Sequence, residues 1–128
     1  MRIDRLDHLV LTVADVEATV RFYTTVLGMT EVTFGPDRRG LAFGRSKINL
    51  HQAGHEFEPK AARPVVGSAD LCLVVEDPLD DVMTELAGHG TEIEEGPVER
   101  TGAEGPIRSV YLRDPDGNLI ELSNYPKV

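Results

Sequence analysis

Apolar residues alternate with polar ones from Ile3 to Val13, a period-two pattern that predicts a strand with Leu6, His8, Val10 and Thr12 on one face. Asp7, Leu9, Leu11 and Val13 take the other. The period then changes: Val16, Val20, Tyr23 and Leu27 fall at helical spacing behind Asp15, whose carboxylate suits an N-cap, and Gly28 closes the helix. Three short strand-like runs follow, Met29 to Phe34, Arg39 to Phe43 and Lys47 to Gln52. They are separated by the turn-forming Gly35-Pro36-Asp37 and Gly44-Arg45-Ser46, which predicts an antiparallel meander. The stretch from Ala53 to Gly67 breaks the pattern with prolines, glycines and mixed charges, and reads as an ordered connection.

The same order of elements then returns. Ala69 to Glu76 is a strand; Asp77-Pro78 offers an N-cap and a first-turn proline; Leu79, Val82, Met83 and Leu86 give helix spacing up to Gly88-His89-Gly90. Thr91 to Glu99, Ile107 to Arg113 and Asn118 to Tyr125 are three further strands, with Asp114-Pro115-Asp116-Gly117 as a hairpin turn. The expectation is an α+β fold of two βαβββ modules, about 3–52 and 68–125, in one domain over 1–128, the sheets forming a partly open, barrel-like pair. Shifting the first half by 62 lays Asp15 on Asp77, Val20 on Val82 and His8 on Asp70. Near the ends a shift of 70 lays Leu50 on Ile120 and His51 on Glu121, which assigns about eight extra residues to the Thr101 to Pro106 loop.

Composition narrows the function classes. With 13 basic and 22 acidic residues the net charge is −9, which repels phosphate backbones, so no nucleic acid partner is expected. No apolar run reaches the roughly 20 residues of a membrane span, and Met1 to Arg5 lacks the apolar core of a signal peptide, so a cytoplasmic protein with no membrane partner is expected. The lone Cys72 forms no internal disulfide.

Candidate chemistry sits where polar side chains interrupt strands. A mid-strand polar group facing a cavity needs a partner, since unpaired burial costs several kcal/mol. His8, His51, Asp70 and Glu121 are four such residues. Each histidine alone reads as a hydrogen-bonded structural residue, and Glu121 alone as an acid held by an arginine. Their joint placement at matching positions of a repeat reverses that reading: two imidazoles and one or two carboxylates suit Zn, Fe, Ni or Mn, with open positions for Lewis-acid or oxygen chemistry. Asn49 shares the His51 face and is placed to orient a ligand. His55, Glu56 and Glu58 read as solvated, Cys72 as a small buried thiol, and His89 as a cation at a helix C-terminus. The Arg100 to Gly105 stretch reads as a hairpin loop, or as a lid over an anionic ligand.

The whole chain resembles the vicinal-oxygen-chelate superfamily of glyoxalases, extradiol dioxygenases and fosfomycin- and bleomycin-resistance proteins. The resemblance rests on Leu6-Asp7-His8-Leu9-Val10-Leu11, on Phe22-Tyr23 with Leu27-Gly28-Met29, and on Asp114-Pro115-Asp116-Gly117-Asn118-Leu119-Ile120-Glu121-Leu122. Lys47 to His51, Glu56 to Lys60, Gly67 to Cys72 and Glu95 to Ala103 look like its glyoxalase-domain-5, or virulence-protein, branch. The resemblance implies metal ligands at His8, His51 and Glu121. The third ligand position falls on Asp70, where relatives place a histidine; a carboxylate there is either a harder ligand or a catalytic proton acceptor. It also implies a homodimer and a small-molecule substrate offering two neighbouring oxygens to a divalent metal ion. Lyase or isomerase chemistry is favoured over ring cleavage because only 5% of residues are aromatic. The other class is a non-catalytic module that sequesters a drug or metabolite.

Overall fold

The computed structural model describes residues 1–127. It divides into two compact units, one ending at Ser68 and the other beginning at Ala69.

In the first unit β1 (His8–Val13) leads into α1 (Val16–Thr25), then β2 (Thr30–Phe34), β3 (Arg38–Phe43) and β4 (Ser46–Gln52). The sheet order is β1-β4-β3-β2, with β1 parallel to β4 and the rest antiparallel. Alternation sends Leu11, Val13, Leu41, Ile48 and Leu50 toward the helix, where with Val20 and Tyr23 they form the core, all under 7% exposed. Each such aliphatic side chain contributes about 1.5–3 kcal/mol on burial. Asp15 caps α1 as expected, its Oδ1 accepting from the Ala18 N–H at 3.2 Å. Gly28, at φ +69°, turns the chain out of the helix so that the Met29 N–H reaches the Tyr23 carbonyl at 3.0 Å. The strand expected from Ile3 starts only at His8, because residues 1–7 lack a ladder partner for most of their length.

The second unit repeats the plan: β5 (Asp70–Val74), α2 (Leu79–Gly88), β6 (Glu95–Gly102), β7 (Gly105–Arg113) and β8 (Leu119–Asn124), in sheet order β5-β8-β7-β6. Its core is Leu79, Val82, Leu86, Val110, Leu112, Ile120 and Leu122. The architecture is α+β with two four-stranded mixed sheets, as the pattern predicted. Asp77 does not cap α2. The N-cap position is Pro78, without a side-chain cap bond; instead Asn124, at the end of β8, accepts the Leu79 N–H at 2.7 Å and donates to the Val75 and Asp77 carbonyls, both at 3.0 Å. Gln52, at the end of β4, clamps α1 in the same way, accepting from Val16 at 3.3 Å and donating to Ala14 at 2.7 Å.

These clamps correct the repeat near its ends. Gln52 corresponds to Asn124, and the Lys47 N–H to Asp7 carbonyl bond corresponds to Leu119 to Ala69. The shift is therefore 72, laying Asn49 on Glu121 and His51 on Ser123, while His8 on Asp70 stands. A slip of two residues preserves which side chains face the helix, so the apolar pattern could not reveal it. Nor do the extra residues form a loop: β6 and β7 have 8 and 9 residues against 5 and 6 in β2 and β3, and Gly102 pairs directly with Gly105.

Candidate functional site

Each sheet has one face packed on its helix and one open face, and the open faces carry the polar chemistry. In the first unit the ladder places Asn49 opposite Gly40 and Arg39 opposite Leu50, so Asn49, His51 and Arg38 share the open face, and Phe34, opposite Arg38, joins them. The turn ending at Asp37, a non-glycine residue at φ +59°, delivers Arg38 to this position. Its guanidinium lies 5.1 Å from the Phe34 ring and 4.5 Å from that of Phe57, a residue of the connecting segment. Lys47 also stands over Phe34, at 3.6 Å. Phe57 meets the His51 ring edge-on at 5.5 Å, and His51 is only 3% exposed. Burial holds its imidazole below the ordinary pKa of 6.5, and the charge of Arg38 adds to this, which favours the neutral ring. Two buried polar atoms here have no hydrogen-bond partner, Arg38 Nε and Asn49 Oδ1. An unpaired buried group costs about 1–3 kcal/mol, so two together on one face call for explanation.

The open face of the second unit is satisfied from within. Ser109 donates to Glu121 Oε2 at 2.6 Å, Ser123 lies 3.4 Å from the same oxygen, and the two hydroxyls are 2.7 Å apart. Both serines are fully buried, so the carboxylate is held in one orientation. Cys72 Sγ extends the chain at 3.2 Å from Ser123. Burial raises the thiol pKa and the Glu121 charge adds to this, while the Ser123 bond lowers it in part. Tyr111, opposite Glu121, accepts from Arg100 Nε at 3.1 Å, and a second Arg100 nitrogen reaches Glu95 at 3.0 Å. Gly96 makes this packing possible: at φ +115°, a Cβ there would lie 2.5 Å from the Ser109 carbonyl oxygen.

His8 stands half-exposed on the open face of β1, with Nδ1 2.8 Å from Asp7 Oδ2, a bond that holds the Asp7 carboxylate below its ordinary pKa. The ladder sets His8 opposite Lys47 and Thr12 opposite His51. That separates the two histidines by four residues, about 13 Å along the strands, so they do not converge. Asp70 and Glu121 are closer in register, Glu121 pairing with Cys72, two residues beyond Asp70. Among the described residues no three His, Cys, Asp or Glu side chains stand close enough together to hold an ion. His55 and Glu58 are exposed, as expected. Cys72 is an exposed residue and not the buried one expected, although its sulfur is partly shielded where it meets Ser123. Arg100 belongs to β6 and is tied to Tyr111, so the stretch is a hairpin and not a lid.

Sequence reasoning missed Arg38, Phe57, Ser109 and Ser123. The serines could have been found: alternation through Val110, Leu112, Ile120 and Leu122 puts both on the open face with Glu121. Phe57 could not, because its place depends on a connection without periodicity.

Among the described residues no helix is long and apolar enough to cross a membrane. Residues 5–122 match the profile of the Glyoxalase/Bleomycin resistance protein/Dioxygenase superfamily. Virulence protein STM3117 of Salmonella typhimurium is 61% identical over 98% of this chain and 87% of its own length. Its crystal structure superposes with a TM-score of 0.97, covering 98% of this chain and all of that one. Glyoxalase domain-containing protein RDO1 of Mycosarcoma maydis is 58% identical over 94% of this chain and 68% of its own length. The fold is also that of a lactoylglutathione lyase from Agrobacterium tumefaciens, with TM-score 0.74 and 23% identity over 97% of this chain and 96% of that one. It is shared too by TnmS3, an antibiotic-binding protein from Streptomyces, with TM-score 0.77 and 22% identity over 98% and 99%. The chain belongs to the glyoxalase/bleomycin resistance protein/dioxygenase superfamily.

Proposed function

We propose that the protein is a divalent-metal-dependent enzyme acting on a small molecule with two neighbouring oxygens, by lyase or isomerase chemistry. The observation that carries this reading is that a candidate ligand in each unit has a partner fixing it: Asp7 on His8, and Ser109 with Ser123 on Glu121. A histidine bonded through one ring nitrogen presents the other to a metal, and an oriented carboxylate binds at less entropic cost. Superfamily membership supports the same reading.

Of the three ligands expected from the sequence, His8 and Glu121 are retained. His51 lies about 13 Å along the strands from His8 and beside the Arg38 charge, which disfavours a cation there, so one ion does not take both histidines from one sheet. Asp70, exposed at the start of β5, is the proton acceptor or a further ligand. Zn, Fe, Ni and Mn all suit this donor set. A divalent metal held by these residues would supply Lewis acidity toward the two neighbouring oxygens of the substrate. The side chains do the rest: Asp70 takes the proton, and Ser109 and Ser123 hold Glu121 in place. Because no three such donors stand together among the described residues, a second copy completes the site, and the exposed Val10 and Val74 of the open faces suit such a cytoplasmic homodimer.

The test is elemental analysis of protein purified without chelator, then metal titration of variants. The wild type is expected to hold near-stoichiometric metal. His8→Gln and Glu121→Gln should lose affinity by more than the roughly 10–100-fold that losing an outer partner costs, and Ser109→Ala by about that much. His51→Gln should keep it; Asp70→Asn should keep metal while losing turnover of 2-oxo aldehydes where Asp70 is the proton acceptor, and lose metal like the other ligand variants where it is a ligand. Wild-type affinity in both His8→Gln and Glu121→Gln, or metal-free wild type, would favour the second reading. That reading is a module that sequesters a small molecule without turnover, supported by the unpaired Arg38 and Asn49 atoms.

A further inference from the structure

The open face of the first unit asks for a ligand on its own terms. Asn49 is 5% exposed, and its Oδ1 accepts from nothing; Arg38 Nε, also buried, donates to nothing. The two lie on adjacent strands of one face, since Asn49 pairs with Gly40, two residues from Arg38 on β3. Gly40 lets the two strands keep Asn49 in place: a Cβ there would press on Asn49 Oδ1 at 3.2 Å and on the Ile48 carbonyl and Val32 Cγ2 at 3.3 Å. The open valences are therefore one acceptor and one charged donor on neighbouring strands of one face.

Charge and shape restrict what fills them. Two cations, Arg38 and Lys47, flank the Phe34 ring in a protein of net charge −9, a local positive spot against the overall sign. Phe34 and Phe57 both lie against the guanidinium, at 5.1 and 4.5 Å, which restricts its freedom. Phe57 comes from the connecting segment, so the cover over the site is the one part not held by a strand ladder.

We infer that this face binds a hydroxy-carboxylate, the carboxylate accepting from Arg38 Nε and the adjacent hydroxyl donating to Asn49 Oδ1. A carboxylate alone leaves Asn49 unpaired; a neutral amide satisfies both atoms but forgoes the two cations. Such a ligand has the neighbouring oxygens of the substrate class proposed above. Its role as substrate rests on that reading, whereas its binding requires no metal.

The test uses chelator-treated, metal-free protein, labelled with ¹⁵N and titrated with three probes: mandelate, phenylacetate lacking the hydroxyl, and mandelamide lacking the charge. Mandelate is expected to bind at least about tenfold more tightly than either analogue, because a site built for a hydroxyl rejects ligands without it. Asn49→Leu and, as a smaller replacement, Asn49→Ser should bring mandelate down to the level of phenylacetate. Arg38→Gln should bring it to the level of mandelamide, and Arg38→Lys, which keeps charge but not Nε, should also lose affinity; thermal melts confirm that each variant is folded. Equal affinity for mandelate and phenylacetate in the wild type, no binding of any probe, or wild-type discrimination in the folded Asn49 variants would overturn the inference. Metal binding by His8 and Glu121 is measured separately on protein purified without chelator, so failure here with metal retained there sinks only this assignment, and discrimination here with no metal bound there sinks only the enzyme reading.

Discussion

The two units share sheet order, helix position and a strand-end clamp, yet their open faces differ in how they treat buried polar groups. In the second unit Ser109, Ser123 and Glu121 satisfy one another. In the first, Arg38 Nε and Asn49 Oδ1 remain unpaired among aromatic rings. A self-satisfied face is rigid and suits holding one group in a fixed orientation, whereas a face with open valences is poised to receive a partner. Asn49 and Glu121 occupy equivalent positions on this common backbone, so the same position carries an unpaired amide oxygen in one unit and a satisfied carboxylate in the other.

The steepest contrast lies in the backbone. Gly96→Ala forces a Cβ to within 2.5 Å of the Ser109 carbonyl at φ +115°, whereas Gly40→Ala meets only 3.2–3.3 Å contacts without a positive φ. Urea unfolding should give a loss above about 3 kcal/mol for the first and about 1 kcal/mol for the second. Equal losses would mean that the second face is not the tighter of the two.

The hairpin before β8 comes next. Asp114 is 6% exposed and accepts from the Asp116 and Asn118 amides, each at 2.9 Å, and from the Asn118 side chain at 2.8 Å, while Asn118 accepts from Ala69 at 2.8 Å. Asp114→Ala should cost about 3 kcal/mol and Asp116→Ala clearly less, both leaving metal affinity per folded molecule nearly unchanged. A larger loss of metal than of stability would show that the turn does more than aim Glu121.

The clamps give a smaller contrast. Helix α1 has both Asp15 and Gln52 at its start, whereas α2 relies on Asn124 alone. Asn124→Ala should therefore cost about 2 kcal/mol and Gln52→Ala about 0.5–1 kcal/mol by chemical denaturation. The reverse order would break the equivalence on which the shift of 72 rests.

The smallest effect concerns pH. Burial and Arg38 lower the His51 pKa in the folded state, so between that value and 6.5 the unfolded chain binds more protons. Stability contributed by the neutral ring is full above 6.5 and declines as pH falls through this window, above the range in which the lowered Asp7, Glu17 and Glu94 carboxylates titrate. In metal-free protein His51→Gln should flatten this decline in chemical-denaturation stability as pH falls below 6.5. An unchanged slope would mean that His51 ionises freely when folded.

Most of the architecture was legible from periodicity, because switches between period two and period 3.6 mark which residues reach a core. Asp15, Gly28 and the Asp114 turn were legible because their geometry is set within a few residues. The α2 cap was misread for the opposite reason: Asn124, 45 residues away from Leu79, supplies it. His8 and Glu121 do stand as polar residues within strands, but the repeat sets Asn49, not His51, against Glu121.

What the sequence by itself determined was the repeat, the inward and outward faces, and the polar residues on those faces, all consequences of local period and turn chemistry. What only the tertiary structure decided was register. A two-residue slip leaves every side chain on its face, so only hydrogen bonds between distant strands could set Asn49 against Glu121, separate His8 from His51 by about 13 Å, and bring Phe57 over Arg38.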